Sequence, residues 1–281
     1  VDPVEFRVGS EVLRGEHWAP DGPAKGAVLL VHGFNSSLEE FGGVPAWLAD
    51  AGYHALAFDQ RGFGRSGGER GRTDVERAVQ DVAAAGETLA RLAPGLPVAV
   101  VGHSLGGAYT VAAVGRGALD ARAVVLAHPV DRLFDEVPAL LRPFYHALGR
   151  WSEWRVARGK PPGHLPYRSS SRQLFVSLEH AQMHGRPPFL LKRSNLGNYR
   201  AIRAMSGAEW ARGVRVPVLL VASPHDRVVR PEHSRAVHAA TAGPKEVFEH
   251  AGGHSCFRDL DGRRVTDAIV AFLDRTLGAP R

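Results

Sequence analysis

The sequence predicts a doubly wound α/β fold: a mostly parallel central sheet, helices on both faces, and one helical insertion. Short apolar runs of strand length recur with helical stretches between them. These runs do not alternate polar with apolar residues as half-exposed strands would. Between about residues 129 and 213 the rhythm stops, and proline-broken helical spacing takes its place.

The runs are Ala27 to Val31 (AVLLV), His54 to Phe58 (HALAF), Val98 to Val101 (VAVV), Ala123 to Ala127 (AVVLA), Val216 to Val221 (VPVLLV) and Glu246 to Phe248 (EVF). Strands this apolar must be covered on both faces. The clearest helix runs from Thr73 to Ala93, with Val75, Val79, Val82, Leu89 and Leu92 as its apolar stripe and Thr73 and Glu76 at the spacing of a capping box. Residues 1–128 and 214–281 are therefore expected to form the core, with 129–213 a helical cap inserted between two strands. In the cap, Leu133, Val137, Leu141, Phe144, Leu148 and Trp151 recur at helical spacing, Pro138 and Pro143 break or restart the helix, and Lys160 to Arg172 reads as loop. A purely packing subdomain and a cap that shapes a binding cavity both satisfy that pattern.

A chain of 281 residues with 44% hydrophobic residues supports a sizeable core. Its single cysteine, Cys256, excludes an internal disulfide and a thiolate cluster, which favours a reducing compartment, the cytoplasm by default. No run of 18 apolar residues exists. The net charge is +6, and the excess is local: Asp131 to Arg215 carries 15 Lys and Arg against 6 Asp and Glu. These arginines are dispersed among aromatics and prolines without a nucleic-acid-binding motif, so nucleic acid is not an expected partner. Weak contact of the basic cap with a membrane or micelle surface is compatible with the pattern, and composition leaves the oligomeric state open.

Two stretches match the pattern G-x-S-x-G, GRSGG around Ser66 and GHSLG around Ser104. Ser104 follows the strand VAVV directly and precedes LGGAYTVAAV, a run of small and helix-forming residues. Strand, sharp turn and helix are what a nucleophile elbow requires, and Gly102 and Gly106 leave room for the two elements to close around the serine. Ser66 lies eight residues past its nearest strand, in DQRGFGRSGGERGR, where the glycines read as loop punctuation.

A serine hydroxyl needs a base to take its proton and donors to receive the oxyanion. Asp226 follows VPVLLVASPH at a strand's carboxyl end, and His254 follows EVFEHAGG on a glycine-flexible loop after the last strand. Asp131 and Asp259 are the other candidates for the acid, and His250 for the base. The backbone N–H groups of Phe34, after the strand AVLLV, and Leu105, at the start of the nucleophile helix, are placed to form the oxyanion hole. His180 and His184 stand one helical turn apart without a third ligand, so no metal is expected, and serine chemistry calls for no cofactor. Cys256 is read as a buried structural residue.

VHGFNSSLEEF, FDQRGFGRSGGERG, VGHSLGGAYT, VPVLLVASPHDRVV and AGGHSCF together resemble the monoacylglycerol lipase and lysophospholipase-like branch of the α/β-hydrolases, over roughly residues 25–127 and 214–275. The resemblance implies the α/β-hydrolase fold with an inserted helical cap, the chain order Ser104, Asp226, His254 for the triad, and a bracing role for Asp59 and Arg61. Where the family usually has a glycine shortly before the acid, this chain has Ser223-Pro224-His225. The expected activity is hydrolysis of a small-molecule acyl ester, monoacylglycerol or similar, through an acyl-enzyme. Phe134, Phe144, Trp151, Trp154 and Phe175 make the cap suited to an acyl chain. A serine aminopeptidase, a C–C or amide hydrolase, and a non-catalytic receptor on the same scaffold are the alternatives.

Overall fold

The structure is a computed structural model and describes residues 1–166, 174–176 and 190–278. Six parallel strands coincide with the apolar runs: β3 (Gly26–Val31), β4 (Tyr53–Asp59), β5 (Val98–His103), β6 (Ala123–Ala127), β9 (Val218–Ala222) and β10 (Lys245–Glu249). They belong to an eight-stranded sheet in the order β1-β2-β4-β3-β5-β6-β9-β10. Its first two strands, β1 (Asp2–Val8) and β2 (Glu11–Trp18), form an antiparallel hairpin on one edge, closed by a turn in which Gly9 takes φ 61°. This hairpin has no long apolar run: β2 buries only alternate residues, Leu13, Gly15 and His17.

The central strands are apolar throughout because each face has its own helical cover. Val28 and Leu30 of β3 pack with Val44 and Leu48 of α1 (Val44–Asp50) and with Ile269 and Phe272 of the C-terminal helix (Gly262–Leu277). Ala27, Leu29 and Val31 point the other way, onto Val82, Ala85 and Leu89 of α2 (Val75–Leu92). Neighbouring residues of one strand therefore enter two separate cores.

The helix α2 starts one residue later than the capping-box reading. Asp74 is its N-cap and accepts the Arg77 N–H at 3.0 Å, while the Thr73 hydroxyl is committed to the Tyr109 hydroxyl at 2.7 Å. A carboxylate at the N-cap also suits the positive end of the helix dipole.

Between β6 and β9 lie short 3₁₀ turns, α4 (Arg142–Val156), the strand pair β7 (His164–Pro166) and β8 (Arg193–Asn195), α5 (Tyr199–Arg203) and α6 (Gly207–Ala211). Pro143 sits in the first turn of α4, where its missing N–H costs nothing, so it starts that helix. Within the expected Lys160–Arg172 loop, residues 164–166 are a strand. His180 and His184 lie outside the described residues.

Candidate active site

Ser104 occupies the turn between β5 and α3 (Leu105–Gly115) at φ 53°, ψ −120°, a left-handed backbone that a non-glycine residue adopts only when its surroundings enforce it. The enforcing contacts are visible. The Ser104 N–H donates to the Ala127 carbonyl of β6 at 2.8 Å, and the Ser104 carbonyl accepts the Gly107 N–H at 3.0 Å. A Cβ on Gly106 would stand 2.1 Å from the Val31 carbonyl oxygen, and one on Gly102 2.7 Å from the Gly106 carbonyl oxygen. Only glycine permits strand and helix to approach this closely.

The loop after β3 passes directly against the serine, since a Cβ on Gly33 would lie 3.1 Å from the Ser104 Cβ. The Gly33 N–H is tied to Glu40 Oε1 at 2.7 Å, and His32 Nε2 accepts the Gln60 N–H at 3.0 Å, which leaves Nδ1–H to donate to the Gly33 carbonyl at 2.9 Å. Phe34 is thereby set beside the turn. Leu105, the first residue of α3, has no intrahelical acceptor for its N–H.

Asp226 and His254 come from loops after β9 and β10 and meet at the carboxyl edge of the sheet, with His254 Nδ1–H donating to Asp226 Oδ2 at 2.8 Å. The other carboxylate oxygen, Oδ1, accepts the N–H groups of Val228 at 2.7 Å and Val229 at 2.9 Å. Burial alone would raise the pKa of Asp226, but the His254 imidazole, His128 and the Val229 N–H hold it well below the usual carboxylate range. The turn leading to Asp226 is built without the family's glycine: the Ser223 hydroxyl accepts the His225 N–H at 3.0 Å.

Three further imidazoles surround this pair. His103 Nδ1 lies 2.9 Å from Glu40 Oε1 and its Nε2 2.9 Å from the His254 carbonyl oxygen. Facing an acceptor on each side, the ring is assigned both protons. Burial opposes that charge, but Glu40 outweighs it and raises the His103 pKa, while His103 outweighs the upward push of burial on Glu40 and lowers its pKa. On the other flank, His128 Nδ1 is 3.2 Å from the same His254 carbonyl and 3.1 Å from Asp226 Oδ2, and its Nε2 is 3.0 Å from His250 Nε2. Burial pushes the His128 pKa down to about 3 and lowers that of His250. His128, Asp226 and His254 bring ligand atoms within 4.8 Å of one another, close enough for a metal, but hydrogen bonds and the acid–base contact already occupy these atoms.

The remaining candidates have other partners. Ser66 donates to the Asp59 carbonyl at 2.5 Å and accepts the Arg14 N–H at 2.9 Å. Asp59 in turn accepts the Leu38 and Arg65 N–H groups at 2.8 and 2.7 Å, and Arg61 pairs with Asp81 through Nε at 3.1 Å. Asp131 accepts the Ala208 N–H at 2.9 Å. Asp259 Oδ2 accepts the Gly253 N–H at 2.6 Å and the Val176 N–H at 3.0 Å, fastening the loop that carries His254. Cys256 is fully buried, and burial raises its thiol pKa. In the insertion, Phe175 is buried against Leu174 and Leu190, but Phe144, Trp151 and Trp154 face solvent at 58, 46 and 47% exposure, contrary to the expected apolar lining.

Glu40, His103 and His128 belong to no motif that marks them in the sequence. The only local signal was the adjacency of His103 to Ser104 and of His128 to the end of β6.

A family model described as serine aminopeptidase, S33, matches residues 22–261. A monoacylglycerol lipase of Mycolicibacterium smegmatis is 27% identical over 273 residues, 95% of this chain and 94% of its own length. Among solved structures, Paleococcus ferrophilus monoacylglycerol lipase matches with a TM-score of 0.73 at 24% identity, over 93% of this chain and 98% of its own. A soluble variant of monoglyceride lipase from Saccharomyces cerevisiae, in complex with a substrate analog, matches at 0.79 and 17% identity, over 98% and 95%. At these identities the structural likeness is one of fold.

Proposed function

We propose, for a chain that belongs to the S33 serine aminopeptidase family of α/β-hydrolases and to its monoacylglycerol lipase-like branch, that it cleaves carboxylic esters through an acyl-enzyme on Ser104. The observation that carries this reading is a serine on a strained strand-to-helix turn at the same sheet edge as a buried Asp226–His254 pair.

His254 takes the Ser104 proton as Oγ attacks the ester carbonyl, then returns it to the departing alcohol. Water, deprotonated by the same imidazole, releases the acid from the acyl-enzyme. Asp226 fixes the tautomer with Nδ1–H, leaving Nε2 as the base, and stabilises the imidazolium. The Leu105 and Phe34 N–H groups receive the oxyanion.

The names of the relatives support monoacylglycerol or a similar acyl ester as substrate. In this reading residues 129–213 act as a cap. Its outward apolar side chains, Leu140 at 91% exposure with Phe144 and Trp151, flanked by Arg142, Arg150 and Arg155, suit contact with an acyl-bearing anionic surface.

The family model's description favours a second reading, an aminopeptidase on the same triad. Holding a substrate ammonium calls for carboxylates near the serine, and the excess positive charge of Asp131–Arg215 opposes it. A panel of monoacylglycerols, p-nitrophenyl esters and aminoacyl anilides separates the two. Turnover of the esters with inert anilides is expected; preferred cleavage of the anilides would overturn the ester assignment.

A further inference from the structure

The tautomers of His250 and His128 can be assigned from one backbone group outward. The Gly252 N–H has only a hydrogen to give, so His250 Nδ1, 3.1 Å away, must accept it. A neutral His250 then carries its proton on Nε2 and donates to His128 Nε2 at 3.0 Å. His128, accepting there, carries its own proton on Nδ1, where it meets the His254 carbonyl at 3.2 Å with Asp226 Oδ2 3.1 Å away. Every step runs one way. His128 is 1% exposed and His250 4%, and burial favours the neutral form of both.

His128 is also held in an unusual backbone. It has φ 48° at the end of β6, one of three non-glycine residues with positive φ among the described residues, and Ser104 is another. The His128 N–H donates to the Val221 carbonyl at 3.0 Å, which locks the strained residue between β6 and β9.

We propose that His250 and His128 form an uncharged positioning relay that holds the acid–base pair of the triad, with the His128 Nδ1–H fixing the His254 backbone and polarising Asp226. The inference rests on the reading of Asp226 and His254 as the acid and base of Ser104. His103 grips the His254 carbonyl from the opposite flank, so the peptide unit of the base is clamped between a charged imidazole and a neutral one.

The groups facing this relay are Asp226, His254 and His103 around His128, and Asp259 and Asp261 around His250. With His103 and both aspartates unchanged, loss of the His128 N–H dipole leaves the Asp226 charge less satisfied. Asp226 then stabilises the His254 imidazolium more strongly, and the pH at which the base becomes active moves upward.

The test compares His128→Ala with His128→Asn, whose amide nitrogen occupies the place of Nδ1 and which tolerates positive φ. Against a soluble p-nitrophenyl ester, His128→Ala should lose roughly ten-fold in kcat with KM unchanged, short of the 10²-fold that a full ångström of misplacement costs. Its acid limb should move to higher pH than that of the unsubstituted protein. His128→Asn should restore both. Asp226→Asn runs beside them: if it keeps the wild-type rate, the triad reading itself fails, whereas a dead Asp226→Asn with wild-type rate and pH profile in His128→Ala overturns the relay alone. On the unsubstituted protein, long-range ¹H–¹⁵N spectra of labelled histidines, assigned with His128→Asn and His250→Gln, should show Nδ1–H at His128 and Nε2–H at His250 at neutral pH. Any other tautomer, or an imidazolium, overturns the relay whether or not His128→Ala folds.

Discussion

His254 Nδ1 lies 2.8 Å from Asp226 Oδ2, across 28 residues of sequence and in a site where both side chains are buried. A carboxylate in this place sets which imidazole nitrogen faces the serine. Asp226→Asn should therefore cost on the order of 10⁴ in kcat by favouring the wrong tautomer. Asp131→Asn should leave the rate unchanged, since an amide oxygen can still accept the Ala208 N–H. Steady-state kinetics of the two variants check this, and a silent Asp226→Asn would displace the acid.

Ser66 is expected to matter for stability and not for chemistry. Its hydroxyl is the acceptor for the partly buried Arg14 N–H, so Ser66→Ala should cost about 1 kcal/mol in urea unfolding by leaving that donor without its partner. Ester turnover below the melting range should stay within two-fold of wild type, a bound set at about 0.4 kcal/mol of barrier.

These two serines show what the sequence made legible. Both share the G-x-S-x-G pattern, and only the apolar run before Ser104 and the helix formers after it told them apart. The six parallel strands were equally plain, because strands buried on both faces are written as continuous apolar runs. The β1–β2 hairpin was not, since its strands show only half-exposed alternation, without an apolar run, around a two-residue turn. Glu40, His103, His128 and His250 were illegible as a group: the Glu40–His103 contact spans 63 residues and the His128–His250 contact 122, and nothing local marks either. The insertion's aromatics were visible as apolar, but hydrophobicity does not say which way a side chain faces, and Phe144, Trp151 and Trp154 face out.

Buried neutral histidines give the protein an acid-side weakness. His128, with its pKa pushed down to about 3 by burial, and His250, also lowered, stay neutral in the folded state while unfolded histidines titrate near 6.5. Below that pH the unfolded chain takes up protons the folded chain refuses, so stability falls as pH drops from 6.5 toward 3. His103 has the opposite sign: its raised pKa contributes fully below 6.5 and is lost as pH rises through the folded value. Urea-unfolding free energies should decline below pH 6.5 by up to about 1.4 kcal/mol per pH unit for each such histidine. His128→Asn should remove one proton from that slope; an unchanged slope would contradict the neutral assignment.

The exposed apolar and basic side chains of α4 predict a surface effect. Monoacylglycerol hydrolysis should be faster in anionic than in neutral micelles at low salt, each Lys or Arg near the surface contributing about 1 kcal/mol. The advantage should fade as the Debye length shortens from ~10 Å at 0.1 M to ~3 Å at 1 M salt. Hydrolysis of a short water-soluble ester should show no such dependence, and equal rates in both micelle types would remove the surface role.

The central claim is that Ser104 is the nucleophile, and covalent labelling tests it most directly. The protein is treated with a fluorophosphonate probe and digested, and the modified peptide is identified by mass spectrometry. One phosphonyl group should appear on the peptide holding Ser104, with labelling abolished in Ser104→Ala and retained in Ser66→Ala. A label on Ser66, or undiminished labelling of Ser104→Ala, would contradict the account.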